Sequence, residues 1–191
     1  IDSDVHNHLS KSKLLGRVKR LETGTDDYIK ILKKKISKKF RIQNMKIVLD
    51  CANGAAYKAG PKLLKSLGAK VICIGTSPNG LNINKNCGST FPKKIQLAVK
   101  KHKAHIGIAL DGDADRVLVI DEQGCPIDGD HFLGMIGSRW QEEDILVEKT
   151  LVATVMSNMH LETFLNREGI KLVRTAVGDR YVVEQMRLNG F

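Results

Sequence analysis

Residues 111–116 read Asp-Gly-Asp-Ala-Asp-Arg, the stretch of this chain with the most chemistry in it. Asp111, Asp113 and Asp115 recur at alternate positions, separated only by Gly112 and Ala114, and Arg116 follows at once. Carboxylates this close repel one another unless a positive charge sits between them. A hard divalent cation such as Mg²⁺ suits them, since it takes oxygen ligands and usually keeps positions open for phosphate or water. The planar guanidinium of Arg116 matches two phosphate oxygens at once. Carboxylates, cation and arginine together point to phosphoryl chemistry.

Such a loop must be held by stiff elements. The apolar run Ile106–Leu110 reads as a strand that delivers the acidic loop at its carboxyl end, and Val117–Asp121 reads as the returning strand. Further strands are expected at Met45–Cys51, Lys70–Gly75, Pro126–Ile127, Leu151–Val155 and Ile170–Arg174, with a short one near Gly16–Leu21. Helices are expected from Thr25, whose hydroxyl precedes Asp26 and Asp27 at the positive end of the dipole; after Asn53-Gly54 to Leu67, kinked at or beginning at Pro61; over Lys93–His102 behind Pro92; from Asp130 to about Trp140; over Leu161–Glu168; and over Arg180–Asn189. Thr76–Thr90 is a long loop rich in Pro, Asn, Gly and Ser, and its asparagines are suited to bonding their own backbone. Gln141–Lys149, acidic and without apolar period, reads as a linker. Strands alternating with helices imply an α/β fold of mixed, mostly parallel sheets covered by helices, with ligands gathered at the carboxyl ends of strands.

Bulk properties narrow the partners. The 191 residues are 42% hydrophobic and 27% charged, with no apolar run long enough to span a membrane. Cys51, Cys73, Cys87 and Cys125 form no CxxC pair and read as free cytosolic thiols, with Cys51 and Cys73 expected to be buried. The net charge is +10. Much of the excess lies on Lys30, Lys33, Lys34, Lys38 and Arg41, opposite Ile29, Leu32 and Ile36, which is the pattern of an amphipathic helix with a solvated basic side. No aromatic residue interleaves with these lysines, so a platform for stacking bases is missing. A nucleic-acid partner is not expected.

Two other constellations carry chemistry on paper. Asp111, Asp113, Asp115 and Glu122 match the first, third, fifth and twelfth positions of an EF-hand calcium loop, but Arg116 stands where that loop needs glycine and the flanks are β-rich. A calcium-binding module is therefore the alternative from a different class. Gly178-Asp179-Arg180 opens a helix after a strand, an anion-binding corner in which Arg180 could hold phosphate, although Asp179 also reads as a simple helix cap. Ser157, Asn158 and His160 do not make a nucleophile and base; Ser157 or Asn158 is expected to cap the following helix. His6, His8, His102, His105 and His131 form no ligand spacing with the aspartates.

With these motifs in hand, the chain resembles the α-D-phosphohexomutase superfamily from about Gly16 to Phe191. The most specific match is Asp111–Arg116, like that superfamily's magnesium loop. Asp50-Cys-Ala-Asn-Gly-Ala-Ala56, Pro78–Asn84 with Cys87–Thr90, Met156-Ser-Asn158 and Val177–Val182 are similar to a bacterial branch acting on amino sugars. A sibling branch acting on mannose or glucose phosphates is the nearest alternative. The resemblance implies that Asp111, Asp113 and Asp115 hold Mg²⁺, whose remaining partner is an oxygen of a catalytic phosphoserine, and that Arg116 contacts that phosphate. It implies interconversion of glucosamine 6-phosphate and glucosamine 1-phosphate through a bisphosphate, in the cytoplasm and on the route to peptidoglycan precursors. Gly178, Asp179 and Arg180 would bind substrate phosphate. The partners implied are a phosphosugar and, for the full-length protein, a second copy in a homodimer, with no membrane.

Against the family's four domains, residues 1–24 are expected to be the tail of the first, 25–142 the second with the metal loop, 143–150 a linker, and 151–191 the start of the third. The family's Ser-His-Asn-Pro type loop is absent from these residues and expected before Ile1; its Glu-x-Ser sugar loop is expected after Phe191. The 191 residues alone are expected to be inactive, with weak or no metal occupancy. His160 stands where relatives carry glycine.

Overall fold

The computed structural model describes residues 9–36 and 40–191. The chain divides into two compact units, Ile1–Phe40 and Arg41–Phe191. In the first, α1 (Gly24–Lys35) begins behind Thr23, slightly before the expected Thr25. The Thr23 hydroxyl and then Lys30 hold the Asp27 carboxyl below its ordinary range. Ile36 is already extended (φ −75°, ψ 132°); Lys38 lies outside the described residues, as do His6 and His8. The strand expected near Gly16–Leu21 does not form. Val18 and Leu21 are exposed, and among the described residues no strand runs beside this stretch to supply ladder bonds.

The second unit carries two sheets. The larger has the order β2-β1-β3-β4-β5, built from β1 (Lys46–Asp50), β2 (Lys70–Ile74), β3 (Ile106–Leu110), β4 (Val117–Ile120) and β5 (Pro126–Ile127). β1 is parallel to both β2 and β3, whereas β4 and β5 add antiparallel at one edge. α2 (Ala59–Ser66) and α3 (Lys93–His102) cover its two faces. Residue alternation assigns the faces. Ile47, Ile106 and Ile108 pack with Leu64 and Leu67 on the α2 side; Val48, Ala109 and Ile120 pack with Ile95 and Val99 on the α3 side. α2 starts two residues before Pro61, which sits in the first turn, where its missing N–H costs nothing. Cys51 is buried as expected, but Cys73 is exposed, because β2 is an edge strand. Burial pushes the Cys51 thiol up to about 12, with Cys73 and Asp50 adding to it.

The smaller sheet pairs β6 (Thr150–Thr154) and β7 (Lys171–Thr175) in parallel, with α4 (Gly129–Glu142), α5 (Met159–Arg167) and α6 (Asp179–Asn189). α4 packs on this layer, although the expected 25–142 unit grouped it with the first. Its Gly134 lies against Leu161 and Phe164, and its Gly137 against Leu151, positions where a Cβ would crowd the neighbouring helix and strand. Leu151, Leu161, Leu165 and Ile170 form the core of this layer, with Leu133 of α4 against it. Leu165 is fully buried, so Leu165→Ala is expected to cost about 2–5 kcal/mol, read from the midpoint of chemical denaturation. The acidic 141–149 stretch is tied down more closely than a linker: Ile145 and Leu146 donate to the Trp140 carbonyl, and Leu146 packs on the core.

Candidate active site

The Asp111–Arg116 segment is the hairpin loop between β3 and β4, closed by the Leu110–Val117 pair. It lies at the carboxyl end of β3, where the carboxyl end of parallel β1 lies beside it. Two backbone hydrogen bonds fix its entry. Ser89 N donates to the Leu110 carbonyl (2.9 Å) and Ala55 N to the Gly112 carbonyl (2.8 Å). Within the loop, Ala114 takes a left-handed φ of 63° and its N–H donates to the Asp111 carbonyl at 3.2 Å. That turn folds the three aspartates toward one another.

One carboxylate oxygen from each of Asp111, Asp113 and Asp115 lies within 4.8 Å of the others. An octahedral Mg²⁺ with bonds of about 2.1 Å holds its oxygens about 3–4 Å apart, so the three fit one ion after small adjustment. The donor set is all oxygen, which suits a hard cation and not a soft one. Asp111 is buried, while Asp113 and Asp115 face solvent. Burial works to raise the Asp111 carboxyl, but the Arg116 amide, which donates to Oδ1 at 3.1 Å, the shared contact with Asp115 and the Arg116 charge together bring it below its ordinary range. Asp115 is pushed up, first by the charge of Asp113, then by burial and Asp111. The Arg116 guanidinium stays largely exposed, with Nε 3.9 Å from Asp111 and 4.0 Å from Asp115. It is free to turn toward an anion brought to the carboxylates.

These directions give a pH dependence. Asp115, with its raised value, favours the fold below the ordinary carboxylate range, and that contribution is lost as pH rises through the raised value. Asp111, with its lowered value, contributes above the ordinary range and loses it as pH falls through the lowered value. A cation needs all three ionised. In the full-length protein, saturating Mg²⁺ is therefore expected to raise the thermal unfolding midpoint at neutral pH, and this increment is expected to disappear below about pH 4, as differential scanning calorimetry at both pH values would show.

The other sequence candidates lie elsewhere. Gly178 (φ 137°) opens α6 at the carboxyl end of β7; Asp179 Oδ1 accepts from Arg180 N at 2.8 Å, and the Arg180 guanidinium lies 4.7 Å from the Tyr181 ring centre. No described hydrogen bond or ion pair links this corner to the Asp111 loop. Asn158 caps α5 through Leu161 N (3.0 Å), as expected, and its own N–H donates to Asp130. Asn79 and Asn82 bond the backbone of their own loop. The sequence reading missed Asp50, Asn53, Gly54, Ile83 and Gly88 as site residues. Gly54 and Ile83 lie against Gly112, where a Cβ would strike Ile83; Gly88 lies against the Leu110 carbonyl; and Asn53 bridges Ser77, Asn82 and Cys87. The available signal was Asp50 itself, an acid ending a strand that is apolar from Ile47 to Leu49.

Residues 26–124 match the family profile described as phosphoglucomutase/phosphomannomutase, alpha/beta/alpha domain II, and residues 128–191 match domain III of the same family. The chain is 61% identical to a phosphoglucosamine mutase of Pelagibacter ubique over 96% of its length, covering 41% of that protein. It is 49% identical to a phosphoglucosamine mutase of Methylobacterium radiotolerans over its whole length, covering 43% of that protein. The chain thus spans about two fifths of the length of these relatives. Its fold is similar to a phosphoglucomutase/phosphomannomutase family protein of Burkholderia thailandensis, with a TM-score of 0.73 at 23% identity, over 87% of this chain and 36% of that one.

Proposed function

The chain belongs to the phosphoglucomutase/phosphomannomutase family, and from that premise we propose that it is the metal-loop part of a longer phosphoglucosamine mutase, which interconverts glucosamine 6-phosphate and glucosamine 1-phosphate. The observation that carries the reading is the convergence of Asp111, Asp113 and Asp115 beside the exposed Arg116, at the carboxyl end of a parallel strand. The choice of sugar is supported by the likeness to the phosphoglucosamine mutases of Pelagibacter ubique and Methylobacterium radiotolerans.

The three aspartates would hold one Mg²⁺, which when bound supplies positive charge to a phosphoryl oxygen. Everything else follows from this chain's own groups. Phosphoryl transfer asks for little covalent help and much positioning and charge stabilisation. Asp111, whose carboxylate is held by the Arg116 amide, would fix the place of the ion. Arg116 pairs two phosphate oxygens with its planar fork. Gly178, Asp179 and Arg180 at the α6 amino end would form a second anion corner, in which Arg180 supplies the charge and an incoming phosphate would have to displace the Asp179 carboxylate from the Arg180 amide. A phosphoserine elsewhere in the longer protein would donate and recover the phosphoryl group.

The test is turnover by the full-length protein with Mg²⁺ and a catalytic amount of sugar bisphosphate. Conversion of glucosamine 6-phosphate with a kcat/KM well above those for glucose and mannose 6-phosphates is expected. A preference for either neutral sugar would overturn the assignment of substrate.

A further inference from the structure

The described residues hold one fully buried carboxylate that the proposed chemistry does not use, Asp50. It ends β1, the strand lying between β2 and β3. None of the described ion pairs involves it. Its two oxygens are divided between two backbone amides: Oδ1 accepts from Ala52 N at 2.9 Å and Oδ2 from Gly88 N at 2.8 Å. A buried carboxylate without a cation is costly unless such donors satisfy it, so both bonds matter to its presence there.

Each amide belongs to a backbone that reaches the acidic loop. From Ala52 the chain passes through two residues in the left-handed region, Ala52 (φ 53°) and Asn53 (φ 50°). Neither is glycine, and consecutive non-glycine residues in that region persist only where the surroundings impose them, commonly at functional sites. This turn brings Gly54 against the loop and lets Ala55 N donate to the Gly112 carbonyl at 2.8 Å. From Gly88 (φ 81°) the next residue, Ser89, donates to the Leu110 carbonyl at 2.9 Å. The two arms also touch each other, since Asn84 N donates to the Ala52 carbonyl at 2.8 Å. The carbonyls they hold, of residues 110 and 112, flank Asp111.

We propose that Asp50 is a positioning residue for the metal loop: its buried carboxylate joins the two backbone arms that grip the chain on either side of Asp111. The proposal rests on the metal reading of Asp111, Asp113 and Asp115. Asparagine is the informative replacement. It keeps the shape but offers one acceptor oxygen and one NH₂, so either Ala52 N–H or Gly88 N–H faces a donor and goes unpaired.

In the full-length protein carrying Asp50→Asn, Mn²⁺ affinity, counted by electron paramagnetic resonance, is expected to fall about 10–100-fold, the usual effect of losing a group behind a metal ligand. Amide hydrogen exchange is expected to speed up over residues 110–116 while staying unchanged in β6 and β7. A merely structural role would raise exchange throughout. Unchanged Mn²⁺ affinity together with unchanged exchange at 110–116 would overturn the proposal. Should the variant not fold, native-state exchange on the unsubstituted protein decides: the amides of Ala52, Ala55, Gly88 and Ser89 are expected to open as one cooperative unit, and independent opening would overturn it. If the unsubstituted protein binds no Mn²⁺, the metal reading fails, while exchange at 110–116 still settles the role of Asp50.

Discussion

Asp111→Asn in the full-length protein is expected to lower kcat for phosphosugar conversion by about 10²–10³-fold, a loss of ~3–4 kcal/mol of transition-state stabilisation. Asp111 is the only buried carboxylate of the three. Its backbone is gripped on both sides, so it is the ligand least able to be replaced by a neighbour that swings in. Asparagine retains the oxygen that accepts from Arg116 N, and the hairpin should keep its shape. What is lost is the charge, and with it the balance that makes the loop attract a dication. Asp113→Asn is expected to do less, since Asp113 is exposed and water can take its place. Steady-state kinetics with each variant across a range of Mg²⁺ separates the two: extra Mg²⁺ should restore Asp113→Asn much more than Asp111→Asn.

Gly54→Ala is expected to be nearly as damaging although residue 54 carries no chemistry. A Cβ there would lie 2.0 Å from the Gly112 carbonyl oxygen and 2.6 Å from its Cα. The obstacle is backbone, which cannot step aside as the end of a flexible side chain can. The substitution must push the 54–55 turn and the acidic loop apart, breaking the Ala55–Gly112 hydrogen bond. A stability loss of about 1–3 kcal/mol is expected from overpacking, with a fall in Mn²⁺ affinity of at least about tenfold, the scale of losing support behind a ligand. Calorimetry reads the first and a metal titration the second. Gly129→Ala, at a glycine whose Cβ would meet nothing, is the matched control and should leave metal affinity unchanged.

Much of the fold is legible because the strands of the larger sheet centre on short apolar runs, with β2 lying between Gly68 and Gly75 and β1 between Asn44 and Asn53. β3 and α3 fall on the expected residues, and the carboxyl end of β3 brings the aspartates where alternation and topology require. What was not legible is tertiary. The apolar residues near Val18 look like a strand, but a strand exists only with a partner. α4 looks like a continuation of the first layer, because its Gly134 and Gly137 give no local sign of the helix and strand they admit. Asp50 reads as the last polar residue of a strand until the fold places Gly88 across from it. The Asp111 loop announces its chemistry in six consecutive residues, whereas the groups that hold it come from segments between Asp50 and Ser89, and no local pattern joins them.

The central claim is that Asp111, Asp113 and Asp115 form one divalent-cation site. Its most direct test is a Mn²⁺ titration of the full-length protein followed by electron paramagnetic resonance, beside the variant with all three aspartates changed to asparagine. One ion per chain in the unsubstituted protein, displaced by Mg²⁺ and lost in the triple variant, is the predicted result. Equal Mn²⁺ binding by the triple variant would contradict it.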